Sequence, residues 1–405
     1  MTEIRFRRCL HPENYFSPDD FFARFSRENP EVAVRVEEVT DRGVTDSAAQ
    51  SPDKLHQIPP YLREDPPDVA IACGETVALL ADADRVAPLD GFLDGPDGLP
   101  RDDFVARVLE VSTYRGVLWG LPIEANPYAL FCNLDLFEQA GIAALPTNWA
   151  ELMQASRDLM EDTDGDGRTD RYGYTQCTFQ VPLLMWQAGG ELVDAENRKI
   201  LFDSEEAIRA LKYHADIRMF SPPHVEFEYG DVGMKLSIVE NLMRRKYAHL
   251  NFRIVPLPAG RRRANSFGQS QSATCLVILR STPEREQAAW RLLRWWADGE
   301  GALIWSKLTG FVPVRRRLLA DPDYREHVDR HPGLAPFAEQ MEAEICHPRP
   351  CLPEFARIKW IFAKAVHLSR ENELAASVDR CREILHQCDQ EAQQILDETR
   401  PAAVG

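Results

Sequence analysis

The first chemical question is set by Asp162, Asp164, Asp166, Gly167 and Asp170. They stand at positions 1, 3, 5, 6 and 9 of an EF-hand-like calcium loop, where carboxylates alternate along a turn and glycine permits the bend. Position 12 is Gly173, where a bidentate carboxylate belongs. Asp162, Asp164, Asp166 and Asp170 therefore read as an Asp/Gly turn bonding its own backbone, with a structural calcium as the alternative. Cys381 and Cys388 share a helix face, and Cys346-His347 and Cys351 lie upstream, but none has the C-x₂-C spacing of a zinc site. Packed thiols are expected there. No G-x-S-x-G, H-E-x-x-H, phosphate-loop or dinucleotide glycine pattern occurs. Carboxylate pairs such as Asp102-Asp103 and Glu37-Glu38 read as solvated faces, although a glycosidase pair among so many carboxylates stays open.

The richer stretch runs from 114 to 135. Turn chemistry (Arg115-Gly116, Gly120) leads to Pro122, then to the polar cluster Glu124-Ala125-Asn126-Pro127, then to an apolar strand from Tyr128. This reads as chain leaving one compact unit and entering another, the kind of junction that ligand sites favour. Glu124, Asn126 and Tyr128 are accordingly candidate hydrogen-bonding groups, with hinge capping as the other reading. Glu75 follows Gly74 at the mouth of a buried strand, where ligands of α/β proteins bind; a first-turn helix carboxylate is its plainer role.

These residues need a scaffold. Residues 3–7 and 32–36 read as strands around a helix with Ser17 as cap, Pro18 at its first position and Phe21, Phe22 and Phe25 facing inward. Residues 68–73 form an apolar run suited to a buried parallel strand, with a helix opening at Gly74. Residues 45–65 form a surface excursion. Beyond the junction, 128–133, 172–177, 252–257 and 273–279 are strand-like. An amphipathic helix over 284–297 carries Trp290, Trp295 and Trp296, and the chain after Pro353 is mostly helical. Strands alternating with helices on both sides of the junction give an α/β class and two domains. At 405 residues the length agrees, and no apolar run approaches a membrane span. The net charge of −17 disfavours nucleic acid and anionic membrane as partners.

Several segments in order resemble extracellular solute-binding proteins of ABC importers, the sugar-binding group. They are Trp119-Gly120-Leu121-Pro122 (the family more often has tyrosine first), Asn133-Leu134-Asp135-Leu136-Phe137 and Thr147-Asn148-Trp149-Ala150-Glu151-Leu152. The acidic turn 162–173, Trp186-Gln187-Ala188-Gly189-Gly190, Gly230-Asp231-Val232-Gly233-Met234, Val255-Pro256-Leu257-Pro258 and Thr309-Gly310-Phe311-Val312-Pro313 continue the series. The likeness covers roughly residues 60–320.

The resemblance implies a periplasmic-binding-protein-like type II fold: two α/β lobes, a hinge and an interlobe ligand cleft. Lobe one is expected at 1–118 and 264–312, lobe two at 119–263 and 313–405. It further implies a monomeric receptor that performs no chemistry, binds a mono- or oligosaccharide and delivers it to the importer's permease. Trp186 becomes a stacking platform, with Gly189 and Gly190 admitting the ligand to the backbone, or else a core tryptophan beside a turn. Gln269 and Gln271, in a turn that often faces the ligand in the family, join the candidates, with an ordinary polar turn as the other reading. Phe311 and Trp305 are weaker ones, since helix-face aromatics are usually core. His11, Asn14 and Tyr15 occupy a loop that reaches the cleft in this family. An extracytoplasmic location follows from the resemblance. The first residues lack an apolar signal core, and nine scattered cysteines suggest reduction, so a cytoplasmic ligand sensor on the same scaffold is the main rival. A carbohydrate-active enzyme is the third reading.

Overall fold

The computed structural model describes residues 1–9, 18–39, 58–175, 180–221, 227–239, 247–268, 274–369 and 376–398. The chain divides into two compact units. The first comprises Met1–Asn126, Gln271–Arg330 and Pro348–Arg357, and the second Pro127–Ser270, His331–His347 and Ile358–Gly405.

The first unit is built on a five-stranded sheet, in the order Val32–Val39, Thr2–Cys9, Val69–Ala72, Cys275–Ile278, Leu121–Pro122. The first three strands are parallel. Cys275–Ile278 returns from far along the chain and runs antiparallel to both neighbours, pairing Ile278 with Val69 and Cys275 with Pro122. Val69 and Ala70 are completely buried, as a central strand covered on both faces requires. Helix Pro18–Glu28 buries Phe21, Phe22 and Phe25, the i, i+1, i+4 stripe expected of it. Helix Pro283–Ala297 is capped by Thr282, whose side chain accepts from the Arg285 N–H, with Pro283 in its first turn. Its Trp296 meets Phe6, Phe21 and Phe22 at ring-centroid distances of 5.4, 4.7 and 5.6 Å.

The second unit has a four-stranded sheet, in the order Phe252–Val255, Tyr128–Asn133, Val232–Ile238, Tyr172–Thr175. Tyr128–Asn133 is antiparallel to both neighbours and buried throughout. The strand Val232–Ile238 sits inside this sheet, although its sequence served above only as a landmark. Asn133 caps the helix Leu134–Gln139 and Asn148 caps Trp149–Asp158. Thr147, just before that cap, donates from N and Oγ1 to Glu151 Oε2, both at 2.8 Å. Helix Val378–Glu398 buries Cys381 and Cys388 together with Ile384 and Leu385, so these thiols act as small apolar groups. Among the described residues, Cys73, Cys132, Cys275, Cys346, Cys351, Cys381 and Cys388 are free thiols.

The units differ from the expected lobe limits for reasons of hydrogen bonding. Ala125 and Val312 exchange both backbone bonds at 2.9 Å, and Val105 N–H donates to Val314. Arg315, only 1% exposed, is held by Asp103 at 2.7 Å and Asp298 at 2.8 Å. Residues 119–126 and 313–330 therefore belong to the first unit. Asn265–Ser266 pairs with Cys346–His347, which keeps both segments in the second.

Candidate functional site

In the first unit, one constellation gathers around Glu124. This residue lies just beyond the edge strand Leu121–Pro122 and is 5% exposed. Its Oε2 accepts a short hydrogen bond from the indole N–H of Trp305, on helix Gly299–Thr309. Trp305 is half-buried and packs edge-on to Trp296, with centroids 4.8 Å apart, and against Phe21 at 5.5 Å. The helix ends at Gly310, whose φ of 75° suits the left-handed cap, and Phe311 follows. Phe311 is half-buried; its N–H donates to Thr309 Oγ1 and its carbonyl accepts from Ser306 Oγ. The Ala125–Val312 pair joins this loop to the main chain beside Glu124. An acceptor-only carboxylate thus meets the edge of a half-buried indole, a hydroxyl-accepting group next to an aromatic ring of the kind that suits a sugar.

Glu75 is 3% exposed in the first turn of helix Gly74–Asp82, where a carboxylate also favours the helix dipole. Gly74 before it is needed for close packing: a Cβ there would lie 2.5 Å from the Val111 carbonyl oxygen. Three thiols surround this helix start. Cys73 Sγ lies 3.3 Å from Thr76 Oγ1, Cys351 Sγ donates to the Gly74 carbonyl at 3.2 Å, and Cys275 pairs opposite Ala72. Burial raises the Cys351 thiol well above its ordinary range, which leaves it an inert packing group. Asn126, half-buried, is the last residue of the first unit.

The remaining candidates lie in the second unit. Tyr128 is 2% exposed, and its backbone is gripped by side-chain amides: Tyr128 N–H donates to Asn265 Oδ1 at 3.1 Å, and its carbonyl accepts from Asn265 and Gln340 at 2.8 and 3.0 Å. Trp186 is 1% exposed on helix Val181–Ala188 and stacks on the His347 ring at 5.3 Å. Gly189 has φ 103° and ends that helix, and a Cβ on Gly190 would come within 2.7 Å of Glu206 Cβ. Helix ending and close packing account for both glycines. Gln269, Gln271, His11, Asn14 and Tyr15 lie outside the described residues.

A neighbourhood missed in the sequence also lies here. Trp149 and Tyr213 stack at 4.2 Å, and Tyr213 donates to the Trp149 carbonyl. With Tyr174, Gln180 and Gln187 they line a small void with room for about one water centre, into which the buried Gln180 Nε2 brings an unused donor. Trp149, in the helix-start motif, was the available signal.

In the acidic loop, ligand oxygens of Asp162, Asp164 and Asp166 lie within 4.8 Å of one another. Asp170 is outside that group, turned to Thr163 N and Oγ1 at 2.8 and 2.6 Å. The three carboxylates also serve their own backbone: Asp162 accepts from Gly165 and Gly167, Asp164 from Asp166, and Asp166 from Arg168. Gly173 leaves no room for the missing ligand, since a Cβ there would lie 1.8 Å from the Ser156 carbonyl oxygen.

The sequence model of one family, described as bacterial extracellular solute-binding protein, matches residues 13–302. A putative binding protein of Brucella abortus is 26% identical over 309 residues, covering 70% of each chain. The cyclic alpha-maltosyl-1,6-maltose binding protein from Arthrobacter globiformis superposes with a TM-score of 0.79 at 23% identity, covering 97% of this chain and 99% of that one. The sugar-binding protein MalE from Xanthomonas citri gives 0.78 at 20% identity, covering 98% and 97%. At such identities the two structures show the fold, a two-domain α/β binding-protein fold. Among the described residues, no helix is long and apolar enough to cross a membrane.

Proposed function

The chain belongs to the bacterial extracellular solute-binding proteins, and from that membership we propose that it is a receptor for a neutral carbohydrate, which it hands to the permease of an ABC importer. Within the chain, the reading is carried by the buried Glu124 carboxylate set against Trp305. A carboxylate only accepts, so it matches hydroxyl donors and repels anionic sugars. The names of the Arthrobacter and Xanthomonas proteins, which specify sugars, support a sugar over other polar solutes. The relatives are binding proteins, which favours a receptor over an enzyme. Were the 162–170 loop to take calcium, the ion would be structural in this reading.

The test is a thermal-shift panel of maltose, maltotriose, polyols, amino acids and a uronic acid. A ligand at about 100 times its Kd stabilises by about 2.7 kcal/mol. One neutral sugar should shift the melt strongly, the uronic acid should not, and Glu124→Gln should shrink the shift while leaving binding measurable by calorimetry. No response across the panel would sink the sugar reading in favour of a sensor with another ligand, and conversion of a bound oligosaccharide would make the protein an enzyme.

A further inference from the structure

We propose that Trp305 is a positioning residue for ligand recognition, its indole N–H fixing the plane in which the Glu124 carboxylate meets a solute hydroxyl. This rests on the receptor reading above. The two residues are 181 positions apart, so no local turn brings them together. Glu124 is nearly enclosed, which keeps water from easily replacing the indole as donor. An indole has a single donor and no acceptor, while a carboxylate offers about four acceptor sites on two oxygens. The bond therefore consumes one site and sets the orientation of the others.

The ring that donates is itself held. Trp296 meets it edge-on at 4.8 Å and 66°, and Phe21 at 5.5 Å and 58°; both neighbours are 1% exposed. The Trp305 carbonyl accepts from Thr309 Oγ1 at 2.8 Å, and the same hydroxyl accepts from Phe311 N–H at 3.1 Å. That bond ties the Trp305 turn to the loop whose Val312 pairs with Ala125, the residue after Glu124. Main chain and side chain of Glu124 are thus both referenced to one helix end. A carboxylate ordered before the ligand arrives spares the ordering cost on binding.

The test uses the full chain with ¹⁵N-labelled indoles and maltotriose as the probe. Without ligand, the Trp305 indole resonance should move in Glu124→Gln, which reports the bond. In calorimetry, Trp305→Phe keeps the aromatic packing, loses the N–H and should weaken binding about tenfold, or about 1.4 kcal/mol. In a Glu124→Gln background the same substitution should cost less than about twofold, because both act through one carboxylate. Equal losses in the two backgrounds, or a lowered melting temperature with unchanged Kd, would overturn the positioning role. An indole resonance indifferent to Glu124→Gln would do the same, even if Trp305→Phe failed to fold. A wild-type chain that binds neither maltotriose nor any other sugar of the panel would overturn the receptor reading and this proposal with it, an outcome distinct from additive losses in a chain that binds.

Discussion

Replacing Gln340 by leucine tests how the second unit holds the start of its central strand. Gln340 is completely buried on helix Ala335–Glu342. Its Nε2 donates to Tyr128 and Pro336 carbonyls at 3.0 and 2.8 Å, and its Oε1 accepts from Leu257 N–H at 3.1 Å and Asn265 Nδ2 at 2.8 Å. Leucine fills a similar volume and makes none of these bonds. Tyr128 O keeps Asn265 as donor, but the Leu257 N–H loses its acceptor in a buried setting. One orphaned donor costs about 1–3 kcal/mol and the other three bonds together about 1.5–4.5 kcal/mol net; because Tyr128 O and Asn265 Nδ2 keep each other, the low end of that sum applies and the substitution should destabilise by about 3 kcal/mol. For a unit of roughly 200 residues, at about 2–4 °C per kcal/mol, the melt should fall by about 6–12 °C. Differential scanning calorimetry of the full chain reads this directly, with the second unit's transition as the one that moves. A melt within about 2 °C of wild type would refute the reasoning, because the amide network would then contribute nothing net.

Gly173→Ala should prevent folding of the second unit, since the new Cβ would sit 1.8 Å from a backbone oxygen; soluble, cooperatively melting protein would contradict this. Asp162→Ala should lower the melting temperature equally in chelator and in millimolar calcium, because the carboxylate serves Gly165 and Gly167; a loss seen only with calcium would instead establish a metal site. Arg5, with Arg7 behind it, depresses the Asp65 carboxyl to about 2. A lowered folded-state value contributes stability above the ordinary pKa of about 3.9 and loses it as pH falls toward 2. The melting difference between wild type and Asp65→Asn should therefore be present at pH 7 and shrink between pH 4 and pH 2, and a difference independent of pH would exclude the ion pair as its source.

Much of the fold was legible because it is local. Phe21, Phe22 and Phe25 face inward as their spacing demands, the helix expected at 284–297 runs Pro283–Ala297, and the apolar run at 69–72 is a buried strand. Of the candidate site, Glu124 and Phe311 were named from a polar junction and a family landmark, and the Ala125–Val312 backbone pair joins the residues next to them. Trp305 was set aside as a helix-face aromatic, because periodicity says which face a ring occupies and nothing about which distant acceptor its N–H reaches. Val232–Ile238 went unread as a strand although Val232, Met234, Leu236 and Ile238 alternate with Gly233, Lys235 and Ser237, the period-2 pattern of a strand, because its first residues were read only as a family landmark.

Residue order, turn chemistry and apolar spacing were thus enough for the α/β class, the inward face of the first helix and the family, since each depends on interactions within a few residues or on motif order. The antiparallel pairing of Cys275–Ile278 with both its neighbours, the amides of Asn265 and Gln340 on Tyr128, the crowding at Gly173 and the Trp305–Glu124 bond came from the folded chain alone. Each joins segments far apart in sequence, and whether such segments meet depends on the packing of the whole unit, which no local pattern encodes.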